Sequence, residues 1–124
     1  MSQILVIEDE PSLGEFMVTM LQLEGYKVDL AKDGIEGLDL YYQVLHDLVI
    51  TDIVMPRKEG FEVCAELLKL DQTPEIIAMS AGHPEYLNSV SALGVKYTYE
   101  KPFDVEKFLR SVKTALEPKN QQLN

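Results

Sequence analysis

The hydrophobic pattern of this chain alternates between two periods. Short runs at Gln3–Ile7, 26–30, Leu48–Asp52, 75–79 and 95–99 are rich in Ile, Val, Leu and Tyr, the composition of strands buried in a parallel sheet. After each run, apolar residues return every three or four positions, which is the signature of an amphipathic helix. The five stripes are Leu13, Phe16, Met17, Met20 and Leu23 or Glu24; Ile35, Leu38, Tyr42 and Leu45; Phe61, Cys64, Leu67 and Leu68; Leu87 and Val90; and Phe108, Leu109, Val112, Ala115 and Leu116. Punctuation agrees with the periods. Pro11 suits a first helical turn, Gly25 and Gly94 suit helix ends, Asp33-Gly34 opens the second helix, and the loop Pro56-Arg57-Lys58-Glu59-Gly60 leads to the third. Thr73-Pro74 breaks the third helix, the fourth begins near Pro84, Asp104 caps the fifth and Pro118 ends it. Gly37, inside the second helix, costs about 1 kcal/mol relative to alanine and lowers the expected rigidity there.

Strands and helices alternating through short connections predict an α/β, doubly wound (βα)5 sandwich with a parallel five-stranded sheet and helices on both faces. Residues 1–118 form one domain in this reading, and 119–124 a polar, frayed tail. A length of 124 residues is ample for a three-layer core. The net charge of −10 and pI near 4.5 argue against direct contact with DNA or an anionic membrane. No apolar run approaches a membrane span and the amino terminus has no export signal, so a cytoplasmic location is expected. The single cysteine, Cys64, sits in an apolar stripe and reads as a small buried hydrophobe rather than a nucleophile.

Ligands of open parallel sheets bind at the carboxyl ends of the strands. In this chain those ends carry Glu8 and Asp9 after the first strand, Asp52 at the end of the third, Ser80 after the fourth and Lys101 after the fifth. Acids gathered so closely repel one another, and a divalent cation and the lysine are the two available relievers. Oxygen-only ligands favour Mg2+, which takes one or two carboxylates and keeps room for phosphate oxygens. An aspartate held beside Mg2+ and an ammonium can attack a phosphoryl group, with the two cations neutralising the transferring oxygens. No Gly-x-x-x-x-Gly-Lys loop is present, so nucleotide is not the evident donor. Val54 stands where an aspartate-nucleophile phosphatase needs its general acid, which argues against turnover of external substrates.

Taken in order, Ile4-Leu5-Val6-Ile7-Glu8-Asp9-Glu10, Asp52-Ile53-Val54-Met55-Pro56, Ser80-Ala81 and Lys101-Pro102-Phe103 resemble the receiver domain of two-component response regulators, over residues 3 to about 117. The resemblance implies a flavodoxin-like strand order of 2-1-3-4-5. It implies that Asp52 accepts phosphoryl from a phosphohistidine on a sensor kinase or histidine phosphotransfer protein. Asp9, Asp52 and the backbone carbonyl of Val54 would then bind Mg2+, with Glu8 acting through a metal-bound water. Lys101 would contact the phosphoryl oxygens with Ala81 nearby, Ser80 would be the switch hydroxyl, and the Lys101-Pro102 bond would be cis. Phosphorylation would alter a face made by the fourth helix, fifth strand and fifth helix, which binds a downstream protein or a second copy. Slow self-dephosphorylation follows from the same resemblance, and the chain would be a signalling switch rather than an enzyme, standing alone or excised from a longer regulator.

Three positions depart from the common family pattern. Glu8 replaces an aspartate, Ser80 a threonine, and Thr98 stands where a switch tyrosine or phenylalanine is usual. Tyr97 and Tyr99 flank Thr98, and strand alternation points both away from its side. Plainer roles compete for several residues. The Glu8-Asp9-Glu10 run could simply favour a helix N-terminus, Ser80 could cap the following helix, and Lys101 could pair with a neighbouring acid. His46 and His83 are expected on the solvated surface, and Tyr41-Tyr42 half in the core. A receiver-like scaffold without chemistry and a Mg2+-dependent phosphatase are the rival functions.

Overall fold

The computed structural model describes residues 2–54, 59–81 and 84–117. The loop at 55–58, Gly82, His83 and the tail after 117 therefore lie outside the described residues, as does the side chain of Pro84. Ten elements follow one another: β1 (Gln3–Ile7), α1 (Pro11–Leu23), β2 (Lys27–Ala31), α2 (Gly34–Val44), β3 (Leu48–Asp52), α3 (Gly60–Leu68), β4 (Glu75–Ala81), α4 (Pro84–Leu93), β5 (Tyr97–Lys101) and α5 (Val105–Ala115). Every strand pair is parallel, and the sheet order is β2-β1-β3-β4-β5. This is the predicted doubly wound fold. The order reverses between β1 and β3, which opens a crevice at their carboxyl ends.

Side-chain alternation divides the core into two layers. Ile4, Val6, Leu48, Ile50, Ile77 and Met79 meet α1 and α5 on one face. Leu5, Ile7, Val49, Ile76 and Ala78 meet α2, α3 and α4 on the other. All five residues of β3 are buried, each large aliphatic contributing roughly 1.5–3 kcal/mol of transfer free energy. Cys64 is buried in the second layer, and loss of hydration pushes its thiol up to about 12.

Three strands sit differently from the sequence expectation. β2 and β5 begin later than 26 and 95 because the preceding helices close through the residue after their glycines. Tyr26 N donates to Leu21 O at 3.3 Å and Val95 N to Val90 O at 3.2 Å, while Gly25 and Gly94 adopt φ of 96° and 116°. These are glycine-terminated Schellman closures. Pairing with β5 carries β4 on to Ala81 instead of Met79.

Two helices are also rotated relative to the apolar stripes. In α1 the sheet-facing residues are Gly14, Met17, Met20 and Leu21, leaving Phe16 49% and Leu23 80% exposed. In α2 they are Gly34, Gly37, Leu38 and Tyr41, and Ile35, Tyr42 and Leu45 face water. In α2 glycine is the cause. A Cβ on Gly37 would lie 2.4 Å from Ile7 Cδ1, so the missing side chain is what lets α2 approach the sheet. Gly37 is thus a packing contact and not a loose point. In α3, Phe61 is likewise partly exposed beside the buried Cys64 and Leu67. Tyr41 and Tyr42 divide between core and surface as expected.

His46 overturns its expectation. It is 2% exposed, stacked on Tyr41, and its Nε2 lies 2.7 Å from Asp29 Oδ2. The connection between α2 and β3 tucks it under the sheet edge, where Asp29 on β2 answers its polarity.

Leu45 ends α2 in the left-handed region at φ 58°, a conformation that costs a non-glycine residue roughly 1–2 kcal/mol. Its side chain is largely in solvent. Leu45→Gly is expected to stabilise the protein by about 1 kcal/mol, read as a rise in Tm; a fall in Tm would contradict the assignment.

Candidate functional site

The acid pocket is built by strand ends. Glu8 N donates to Ala31 O at 2.9 Å, which carries β1 one residue past its formal end and turns the Glu8 side chain into the crevice. Glu10 acts elsewhere. Its carboxylate accepts from Ser12 N at 3.2 Å and Leu13 N at 2.6 Å, capping α1. The helix-terminus reading therefore explains Glu10 and leaves Glu8 and Asp9 free for the pocket. Asp52 closes β3, and Ile53 N donates to Met79 O at 2.9 Å, holding the strand end against β4.

Glu8, Asp9 and Asp52 bring a carboxylate oxygen each to within 4.8 Å of one another. Glu8 and Asp52 are buried, and Asp9 is exposed at the mouth. Lys101, on the last residue of β5, donates from Nζ to Glu8 Oε1 at 2.8 Å and to Asp52 Oδ2 at 3.0 Å. The plain reading of Lys101 as a partner of nearby acids is correct for this state, and the acids it pairs with are those of the pocket.

Charge balance in the pocket is incomplete. Burial raises the Glu8 carboxyl above its ordinary value; the Lys101 and Glu10 hydrogen bonds pull it back, and the charge on Asp52 pushes it up again. Burial likewise raises Asp52, opposed by Lys101 and reinforced by the charge on Asp9. Burial pulls Lys101 down, but its hydrogen bonds to Glu8 and Asp52 prevail and its net shift is upward. One ammonium thus faces three acids. A cluster of hard oxygens with a remaining excess of negative charge fits Mg2+.

Ser80 lies on β4 one residue beyond Met79, the register partner of Asp52. It is 1% exposed and its Oγ has no hydrogen-bond partner among the described residues. Buried hydroxyls are rarely left so; the helix entry that it is expected to cap falls at Gly82 and His83, outside the described residues. Ala81 pairs with Lys101 in register, and the Lys101-Pro102 peptide is cis. Thr98 pairs with Ala78, on the α4 side of the sheet. Tyr97 and Tyr99 pack on the opposite side, with α1 and α5. Tyr99 is tied there: its hydroxyl bonds Ser111 Oγ and, at 3.3 Å, Lys107 O, and its ring meets Phe108 edge-on at 5.8 Å.

Gly60 escaped the sequence reading. A Cβ there would lie 2.0 Å from Asp52 O and 2.6 Å from Ile53 Cα, both backbone atoms that cannot step aside. Gly60 N also donates to Ile53 O at 2.6 Å. The first residue of α3 therefore rests directly on the peptide that carries Asp52. Its signal in the sequence is a glycine at a helix start eight residues after a strand-end aspartate.

A model of the response regulator receiver domain matches residues 4–113. The chain belongs to that family. Response regulator ArlR of Staphylococcus aureus is 36% identical over 124 residues, covering 98% of this chain and 56% of the relative. The chain thus spans about half the length of the curated relatives it matches. Among solved structures, response regulator TrrA of Thermotoga maritima, in complex with Mg2+–BeF, is 34% identical with a TM-score of 0.85, covering 94% of this chain and 100% of that one. Chemotaxis protein CheY4 of Vibrio cholerae is 28% identical with a TM-score of 0.81, covering 94% of this chain and 99% of that one. A receiver domain protein from Clostridium thermocellum shares the fold at a TM-score of 0.89 and 24% identity, covering 99% of this chain and 98% of that one.

Two outcomes test the geometry. Gly60→Ala should cost at least about 2 kcal/mol, as backbone overlap cannot relax through rotamers, and should weaken Mg2+ binding. Gly37→Ala, which meets a side chain, should leave Mg2+ binding unchanged; equal effects of the two variants on Mg2+ affinity would reject the role given to Gly60. Because folded-state Glu8 and Asp52 hold protons that the unfolded chain has released, Mg2+-free stability should fall as pH rises from about 4 toward neutrality. Asp52→Asn should reduce that slope and raise Tm by a few degrees at neutral pH; an unchanged or steeper slope would contradict the burial argument. Lys101, raised, contributes fully below its ordinary value and leaves this window unaffected.

Proposed function

We propose that Asp52 is the phosphoacceptor of this receiver domain and that Lys101 is the group that couples phosphorylation to the rest of the fold. The observation that carries the proposal is the ammonium of Lys101 bridging Glu8 and Asp52 inside the acid triad. Asp9, Asp52 and the Val54 carbonyl would hold Mg2+, with Glu8 acting through water; the ion supplies charge neutralisation for the transferring phosphoryl oxygens. TrrA, solved with Mg2+–BeF, is a relative that takes such a metal together with a phosphoryl-like fluoride group, and supports the assignment.

In the transfer, an Asp52 Oδ attacks the phosphorus of a phosphohistidine. The new P–O bond forms as the P–N bond breaks, and the departing imidazole takes up a proton from water. The Lys101 ammonium, already 3.0 Å from Asp52 Oδ2, meets the incoming oxygens and loosens its hold on Glu8. The Ser80 hydroxyl, buried without a partner among the described residues, gains one in the phosphoryl group. Thr98 offers no ring to follow this movement and Tyr99 is held by α5, so the signal passes through the Ser80–Ala81 end of β4 into α4.

The donor in this reading is a sensor histidine kinase or histidine phosphotransfer protein in the cytoplasm. The output is a changed α4–β5–α5 face that binds a downstream protein and not nucleic acid or membrane. Among the described residues no helix is long and apolar enough to cross a membrane. The domain acts as a switch, with water slowly releasing the acyl phosphate, and not as a turnover enzyme.

Incubation with Mg2+ and acetyl phosphate followed by intact mass tests the assignment. One phosphoryl increment is expected on the native protein and none on Asp52→Asn or in excess EDTA. Labelling of Asp52→Asn, or steady turnover of an aryl phosphate, would refute it. Lys101→Ala should still label but lose the chemical-shift response of α4, whereas Ser80→Ala should label normally with that response weakened. A normal α4 response in Lys101→Ala would remove the coupling role.

A further inference from the structure

A groove of about 540 Å3 lies at the amino ends of β3 and β4, between the α2–β3 connection and residues 70–74. This is the sheet edge opposite the acid pocket, and the two share no residue. One wall is aromatic. The rings of Tyr41 and Tyr42 meet edge-on with centroids 5.7 Å apart, and His46 stacks on Tyr41 at 6.2 Å. Tyr42 is exposed on this wall, and its hydroxyl donates to Glu66 Oε1 at 3.4 Å.

The groove is acidic as well as aromatic. Asp47 and Asp71 line it, and none of the described lining residues is Lys or Arg. Asp47 is held in place from three sides. Its N donates to Gln3 O at 2.9 Å, its Oδ2 accepts from Gln3 N at 2.9 Å, and its carbonyl accepts from Glu75 N at 3.2 Å. His46 Nε2 donates to the Asp29 carboxylate, which leaves Nδ1 of the neutral ring an acceptor. That buried nitrogen has no partner among the described residues. Leu45 forms the rim, with its backbone in the left-handed region and its side chain in solvent. The conformation costs free energy and presents an apolar group instead of burying it.

We propose that this groove binds an arginine side chain on an exposed segment of a partner protein, with an apolar neighbour of that arginine resting on Leu45 and Leu70. A guanidinium suits the wall on several counts. It stacks flat on a tyrosine face and donates to carboxylates in a fork. It also brings positive charge to a chain whose net charge is −10. An anionic segment would instead meet Asp47, Asp71 and Glu66 and be repelled. The groove has the volume of a short peptide stretch. Because it lies at the opposite edge of the sheet, a partner docked there leaves the acid pocket open.

An NMR titration of isotope-labelled protein with acetyl-Leu-Arg-Leu-amide, to about 10 mM, tests this directly. The amides of Tyr42, Leu45, Asp47 and Asp71 should shift along one saturable curve, with a Kd at or below about 1 mM. Acetyl-Leu-Glu-Leu-amide should leave them in place. Tyr42→Ala should weaken binding by about threefold or more, and Asp47→Asn/Asp71→Asn by about fivefold or more. Leu45→Gly, although the more stable protein, should also bind about threefold more weakly, a divergence that a purely structural role does not produce. Excess Mg2+ should leave the titration unchanged, which separates this groove from the acid pocket. Absence of a saturable shift, an equal response to the glutamate peptide, shifts that Mg2+ displaces, or native affinity in any of these variants would overturn the proposal. Free L-arginine binding as tightly as the peptide would overturn it too, by making the groove a small-molecule site.

Discussion

A single ammonium set between buried carboxylates governs this molecule. Water is largely excluded from Glu8 and Asp52, and two acids so placed would be poorly tolerated without compensation. Lys101 supplies part of it through two short hydrogen bonds, and the exposed Asp9 adds a third negative charge at the mouth. The pocket is therefore held in deficit of positive charge. That deficit favours a divalent ion, and it makes the position of Lys101 sensitive to anything that changes the charge on Asp52. A switch needs such an element: one side chain whose best location differs between two states.

The fold makes the arrangement possible by aligning ends. Parallel strands with right-handed crossovers bring the residues after β1, β3, β4 and β5 to one edge, although Glu8 and Lys101 are 93 positions apart in the chain. Precision comes from backbone contacts. The Glu10 cap fixes where α1 begins, the Ile53–Met79 hydrogen bond fixes the end of β3, and Gly60 allows α3 to lie on the Asp52 peptide. None of these groups carries charge to the pocket except through the residues they hold.

Most of this was legible in the sequence because buried parallel strands and strand-end acids leave strong local signals. The alternation of periods predicted the layers, and the residues at the strand ends predicted which side chains converge. Hydrophobicity failed where glycine decides the packing. Gly37 seats α2 against Ile7, with Ile35 and Leu45 facing solvent, and a stripe of apolar side chains cannot register a contact made by an absent one. His46 reads as a surface residue for another reason: its partner Asp29 lies on β2, 17 residues back, a pairing that no local pattern reveals. Gly60 reads as loop punctuation in the sequence because its steric neighbour is a backbone eight residues back.

A crystal structure of this chain with Mg2+ and BeF would put the Lys101 switch to its sharpest test. Beryllium fluoride is expected on an Asp52 carboxylate oxygen, with Lys101 Nζ moved from Glu8 to a fluorine and Ser80 Oγ hydrogen-bonded to another. Density for the fluoride elsewhere, or Lys101 still bridging Glu8 and Asp52 with Ser80 unpartnered, would contradict that switch.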